Sequence, residues 1–217
     1  MARISLIGAG DIRFHYFEML GMMEYNFHRH VEGIAKALQE SGSEIVLLPD
    51  RGVSLEVAIK YREFRGKKVY GTVPISDKDF GIGHLKQYID TEVLGNRLFD
   101  EIIDTGSWYR QDLTHCIYGD VVLMLGNSLG SLGELAYGYY LYKLFSGGKP
   151  ELKVDIGSIS ENARAGKFVP FSTIIYGPFM KGKLNYETEK YIEKLNGNII
   201  YANSAEDLKQ ALKGIPM

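Results

Sequence analysis

Apolar runs recur along the chain with little alternation between polar and apolar positions. They span Ile4–Ala9, Glu44–Pro49, Lys68–Val73, a short one at Glu101–Asp104, then Asp120–Leu125, Ser172–Tyr176 and Asn198–Ala202. Such runs, rich in β-branched and aliphatic residues and closed by turn residues, read as strands. A strand with one wet face alternates; these do not, so both faces of their sheet should be covered. Helical periodicity fills the intervals. Tyr25–Ser41 places Phe27, Val31, Ile34, Ala35 and Leu38 on one stripe, and Gly42 suits its end. Leu55–Phe64, Arg110–Ile117, Leu132–Phe145, Tyr186–Leu195 and Glu206–Leu212 are the other helical segments, the last with Ser204 as N-cap. Strand–helix alternation predicts an α/β, Rossmann-like doubly wound fold with a mainly parallel sheet of about six to seven strands and right-handed crossovers.

The 217 residues suit one such domain over 1–217. There is no internal repeat, and the glycine-, serine- and lysine-rich stretch from Gly147 to Pro170 reads as a long excursion, of the kind that forms lids or interface loops. The formal net charge of -2 gives no general attraction for nucleic acid or an acidic membrane. No apolar run reaches the roughly 18–20 residues that cross a bilayer, and the first residues read as a strand rather than a signal peptide. A single cysteine, Cys116, excludes an internal disulfide. These features together predict a cytoplasmic protein.

In an open parallel sheet, ligands bind beyond the carboxyl ends of the strands. Three turns lie there: Gly8-Ala9-Gly10-Asp11, Pro49-Asp50-Arg51-Gly52 and Gly126-Asn127-Ser128-Leu129-Gly130-Ser131. Each follows a strand and leads toward a helix, where glycines let backbone N–H groups approach an anion and the helix dipole favours it. The candidate phosphate or nucleotide contacts are therefore Gly8, Gly10, Arg51, Gly52, Gly126, Asn127, Ser128, Gly130 and Ser131. The glycine pattern is not the full dinucleotide fingerprint, and no Walker lysine motif is present. Ser131-x-x-Glu134 has two readings. It matches a capping box; alternatively Ser131 holds phosphate while Glu134 faces a sugar, accepting a hydroxyl or stabilising oxocarbenium-like charge.

The residues Gly126-Asn127-Ser128-Leu129-Gly130-Ser131-Leu132-Gly133-Glu134 resemble the Pro-Gly-Gly-x-Gly-Thr-x-x-Glu signature of the LOG-type Rossmann family, long labelled lysine decarboxylase-like. The second glycine position, the hydroxyl and the glutamate match; the Pro-Gly-Gly start does not. Gly119-Asp120-Val121-Val122 is similar to that family's strand entry, and Arg51-Gly52 with Glu56 resemble an uncharacterised branch. The likeness runs from about Arg3 to Pro150. It implies hydrolysis of the N-glycosidic bond of a nucleoside 5'-monophosphate, with Glu134 and an arginine before the signature strand as catalytic residues. Arg110 stands near that place and Arg97 is a second candidate. Relatives elsewhere in the superfamily only bind nucleotides or a molybdenum cofactor, so a non-catalytic binder is the alternative.

No resident cofactor or metal is expected. His28 and His30 are two apart on a helix and point in different directions. His115 and Cys116 are neighbours and cannot face each other as a nucleophile pair. Trp108 and Tyr137, Tyr139, Tyr140 and Tyr142 suit core or interface packing. The tyrosine-rich helix predicts a homodimer, which the resemblance also implies. The partner expected is a nucleotide or phosphorylated small molecule.

Overall fold

The seven apolar runs form the seven strands of one parallel sheet. In chain order the elements of this computed structural model are β1 (Arg3–Gly8), α1 (Glu24–Glu40), β2 (Glu44–Leu47), α2 (Val53–Glu63), β3 (Val69–Val73), α3 (Lys86–Ile89) and β4 (Glu92–Val93). There follow β5 (Asn96–Arg97), β6 (Glu101–Asp104), α4 (Trp108–Tyr118), β7 (Val121–Leu125), α5 (Leu129–Ser146), β8 (Ser172–Tyr176), α6 (Tyr186–Lys194), β9 (Asn198–Ala202) and α7 (Ala205–Lys213). The structure describes residues 2–146, 172–194 and 198–214; the expected excursion lies outside them. The sheet order is β6-β3-β2-β1-β7-β8-β9, and every neighbouring pair is parallel. β4 and β5 form a separate antiparallel hairpin.

Period-two geometry explains the unbroken apolar runs. Ile4 and Leu6 of β1, with Val121, Leu123 and Leu125 of β7, enter one core with α1, α2 and α7. Ile7, Val122 and Met124 turn to the opposite face and pack with Cys116 of α4, Leu135 of α5 and Ile192 of α6. Both faces are thus apolar, and the three-layer doubly wound α/β architecture follows. The stripe on α1 is buried as expected. Gly42 closes that helix at φ +68°, and the Ser204 hydroxyl accepts the Asp207 N–H at 3.1 Å. No helix among the described residues is long and apolar enough to cross a membrane.

Two local features depart from the sequence reading. A π-helical turn, Arg13–Met19, follows the first glycine turn. Its Tyr16 hydroxyl donates to the Leu125 carbonyl at the end of β7. The other departure is at helix starts. α4 begins at Trp108, whose N–H donates to Asp77 at 3.0 Å, and α5 begins at Leu129, three residues before the apolar periodicity becomes visible.

Candidate functional site

β1 lies between β2, which continues one half of the sheet, and β7, which begins the other. The chain reverses its winding there, and the crevice above the carboxyl ends of β1 and β7 is the usual ligand position in such sheets. It holds a cleft of about 230 Å³. Gly8, Ala9 and Gly10 form one wall, Asp50, Arg51, Gly52 and Ser54 another, and Ser128, Gly130, Ser131 and Glu134 a third; Asp112 of α4 completes it.

The first two turns touch each other. The Val53 N–H donates to the Ala9 carbonyl at 3.2 Å. Gly52 has φ +127°, and a Cβ there would lie 2.7 Å from both the Ala9 oxygen and the Gly10 Cα. Only glycine permits this approach, which brings the N-terminus of α2 to the cleft. Arg51 is exposed beside it and forms no ion pair among the described residues.

The third turn brings the N-terminus of α5 to the same cleft. Ser128 caps this helix: its Oγ accepts the Ser131 N–H at 3.1 Å, and the two hydroxyls are 2.8 Å apart. The Ser128 carbonyl accepts the Leu132 N–H at 3.0 Å. The capping box expected at Ser131 and Glu134 is therefore displaced by one turn, and Glu134 has no capping duty. Gly126 does not line the cleft. It sits under the π-helical turn at φ +148°, where a Cβ would lie 2.8 Å from the Tyr16 hydroxyl and 3.1 Å from His15 Nε2. Asn127 is exposed and also lies outside the cleft lining.

Two carboxyl groups face the cleft. Neither Glu134 nor Asp112 accepts a side-chain or backbone hydrogen bond from the described residues. Burial, and then the charge of Asp112, push the Glu134 carboxyl up to about 8. Burial raises Asp112 as well. Behind them, the buried Cys116 thiol is pushed up by burial and by both carboxylates. A carboxyl raised to about 8 holds its proton at neutral pH, and the charge of Asp112 is one of the causes of that rise.

Arg110 does not line the cleft; its guanidinium lies over Gly106 at the start of α4. Residues two apart on a helix are about 200° apart around its axis, so a helix that aims Asp112 inward aims Arg110 away. Arg97 is exposed on the β4–β5 hairpin. His115 is fully buried, between Thr72 Oγ1 at 2.9 Å and the Leu6 carbonyl at 3.0 Å, and burial lowers it to about 4. It braces α4 against the sheet as a neutral imidazole. Among the described residues no cluster of three or more histidine, cysteine or acidic side chains could hold a metal. A larger groove of about 540 Å³ between α5 and α6 is lined mainly by Leu132, Leu135, Tyr139, Tyr140, Tyr191 and Ile192. It lacks the convergent polar groups of the smaller cleft.

This architecture defines a Rossmann-like α/β protein. No protein family profile matches the chain, and no curated protein sequence matches it. Solved structures do. The X-ray structure of TM1055 is 15% identical, with a TM-score of 0.59 over 99% of this chain and 100% of that one. The molybdenum cofactor binding protein from the phototrophic bacterium Rippkaea orientalis is 15% identical, with a TM-score of 0.55 over 98% and 96%. The Moco carrier protein from Chlamydomonas reinhardtii is 16% identical, with a TM-score of 0.56 over 98% and 96%. At these identities the likeness is one of fold.

Proposed function

We propose that this protein binds a nucleotide or a closely related phosphorylated small molecule in the cleft between β1 and β7. The observation that carries the reading is the convergence of the α2 and α5 N-termini, with the unpaired Arg51, on one cleft at the switch point. Helix N-termini offer unsatisfied N–H groups and a favourable dipole to an anion, and arginine adds a fixed bidentate charge. The two structural neighbours that bind or carry a molybdenum cofactor are consistent with a small-molecule role.

Gly130 tests this reading. It lines the cleft, and a Cβ there would meet only Ser128 Oγ at an ordinary 3.7 Å. Gly130→Val should therefore fold and fill the ligand space. Calorimetry with inorganic phosphate and the four common nucleoside monophosphates should show binding to the wild type and at least about a tenfold loss in the variant. Equal binding by both proteins overturns the assignment.

A second reading is phosphoribohydrolase activity of the LOG type. The observation favouring it is Glu134, which is released from capping and raised to about 8. A carboxyl that holds its proton at neutral pH can protonate a departing base, a different part from the anionic one expected from its place in the sequence. Asp112, whose charge contributes to raising Glu134, is then the group that steadies positive charge developing on the sugar. The position of Arg110 outside the cleft counts against the arrangement implied by the family resemblance. Release of free base from AMP, GMP, CMP and UMP, followed by chromatography, separates the readings. Turnover that falls at least about a hundredfold in Glu134→Gln supports hydrolysis; no release by the wild type leaves the binding function.

A further inference from the structure

The cleft combines anion-seeking and donor-seeking groups. Arg51 and the turns that begin α2 and α5 line it together with Asp112 and Glu134. A site for phosphate alone gains nothing from two carboxyl groups, which repel an anion and cost free energy to bury. Capping does not explain Glu134, because Ser128 caps α5. Nor does an internal ion pair, because none among the described residues reaches either carboxyl. Both carboxyls line the cleft without a hydrogen-bond or ion-pair partner among the described residues.

We propose that Asp112 and Glu134 form a base-reading subsite that takes the amino-oxopyrimidine edge of a phosphorylated ligand, the edge shared by guanine and pterins. This deepens the binding reading above and rests on it. The edge presents a ring N–H, an exocyclic amine and a neighbouring carbonyl in a row. A carboxylate accepts the two adjacent donors in bidentate fashion, and a protonated carboxyl donates to the carbonyl. One charged and one protonated carboxyl supply that pattern. The titratable groups packed around Glu134 are Asp112 and Cys116. The thiol, held up by burial and by the two carboxylates, stays neutral, so the single proton belongs to the carboxyl pair. Adenine lacks the neighbouring carbonyl, uracil lacks the amine, and hypoxanthine keeps the ring N–H and carbonyl but lacks the amine. A divalent cation prefers two ionised carboxylates and further oxygen ligands, which a proton-sharing pair does not offer.

The test is calorimetric binding of GMP, IMP, ribose 5-phosphate and neopterin monophosphate, with and without magnesium. The proteins compared are the wild type, Asp112→Asn and Glu134→Gln. The wild type should bind GMP at least about tenfold more tightly than IMP, since a site built for an amine leaves its acceptor unpaired without one. Asp112→Asn should reduce that ratio to within about threefold without weakening ribose 5-phosphate binding, whereas Glu134→Gln, whose amide still donates to the carbonyl that GMP and IMP share, should keep it. Tighter binding of neopterin monophosphate than GMP identifies the pterin as the source of the edge; the reverse order identifies guanine. Binding of ribose 5-phosphate with no preference for GMP over IMP overturns the base-reading pair and leaves the phosphate site standing. A preference that survives Asp112→Asn, or one that requires magnesium, also overturns it. Failure to bind any of the four compounds overturns both the pair and the cleft reading. Both variants remove a half-buried charge or proton without changing shape, and their melting curves check that they fold.

Discussion

Glu134 should make the protein less stable as pH rises. Its carboxyl has an ordinary value of 4.5 and is raised to about 8 in the fold, first by burial and then by Asp112. Between these two values the folded protein holds a proton that the unfolded chain has released, so unfolding is favoured by increasing pH. The contribution is fully present below about 4.5 and is lost as pH rises through about 8. A tenfold change in proton affinity corresponds to about 1.4 kcal/mol, so the whole displacement is worth at most about 5 kcal/mol. Water entering the open side of the cleft reduces it, and about 2–4 kcal/mol is the expected range. Glu134→Gln keeps the shape and cannot ionise. Urea unfolding of wild type and variant from pH 5 to pH 9, about the span over which the carboxyl titrates, measures the difference directly. The variant should gain on the wild type steadily across that range. The histidines do not mask the effect: burial lowers His15, His30 and His115, so their contribution is lost as pH falls below 6.5, and it is common to both proteins. Parallel stability curves for the two proteins would refute the buried, proton-holding carboxyl and the argument built on it.

Gly52→Ala should destabilise by about 2–4 kcal/mol, because a Cβ would meet backbone atoms at 2.7 Å at φ +127°; thermal melting reads this, and a change under about 0.5 kcal/mol contradicts the close approach of the two turns. Tyr16→Phe should cost about 1–3 kcal/mol by leaving the buried Leu125 carbonyl without its donor, and an unchanged denaturation midpoint would remove the π-helical turn as a brace of β7. Tyr137, Tyr140 and Tyr191 are each roughly half exposed or more on α5 and α6, so light scattering should report a homodimer; a lone 24.4 kDa species rejects it.

The sheet was legible because its central strands are covered on both faces. β7 shows the reason: Val121, Leu123 and Leu125 serve one core and Val122 and Met124 the other, so no position is released to be polar. The short edge strand β6 was visible for the same reason only in part, since Ile102 and Ile103 are half-buried between exposed Glu101 and Asp104. What escaped notice has no periodic signature. The Arg13–Met19 turn winds too widely for the 3.6-residue stripe of an α-helix. The first turn of α5 hid behind Gly130 and an exposed Leu129, since its side chains bury little and its start is set by one serine hydroxyl.

The candidate site was legible where local chemistry decides and obscure where packing decides. Gly8, Gly10, Arg51, Gly52, Ser128, Gly130, Ser131 and Glu134 all line the cleft, since strand-to-helix turns at the carboxyl edge of a parallel sheet have to converge there. Asp112 carries no local sequence motif. Its place depends on which face of α4 turns toward α5, whereas Arg110, two residues earlier, is the residue that the family resemblance points to. Cys116, one helical turn beyond Asp112, fixes that face: it is buried in the core shared by α4 and α5. A conspicuous apolar partner one turn from an acidic residue was the signal available.

Asp112 also bears on what the cleft is for. An arginine facing Glu134 would hold that glutamate ionised and the pair neutral, whatever the ligand carried. An aspartate facing it does the reverse: it raises Glu134, leaves the pair one proton short of neutral, and makes the ligand responsible for compensating the remaining charge. Such an arrangement is costly in the empty protein and becomes favourable only when hydrogen-bond donors arrive. The cost is then also a source of selectivity, because a ligand offering phosphate alone leaves the carboxyl pair as it was. On the proposed reading, such a cleft would discriminate by the donors a phosphorylated molecule carries beyond its phosphate, while the glycine turns and helix ends would hold the phosphate itself.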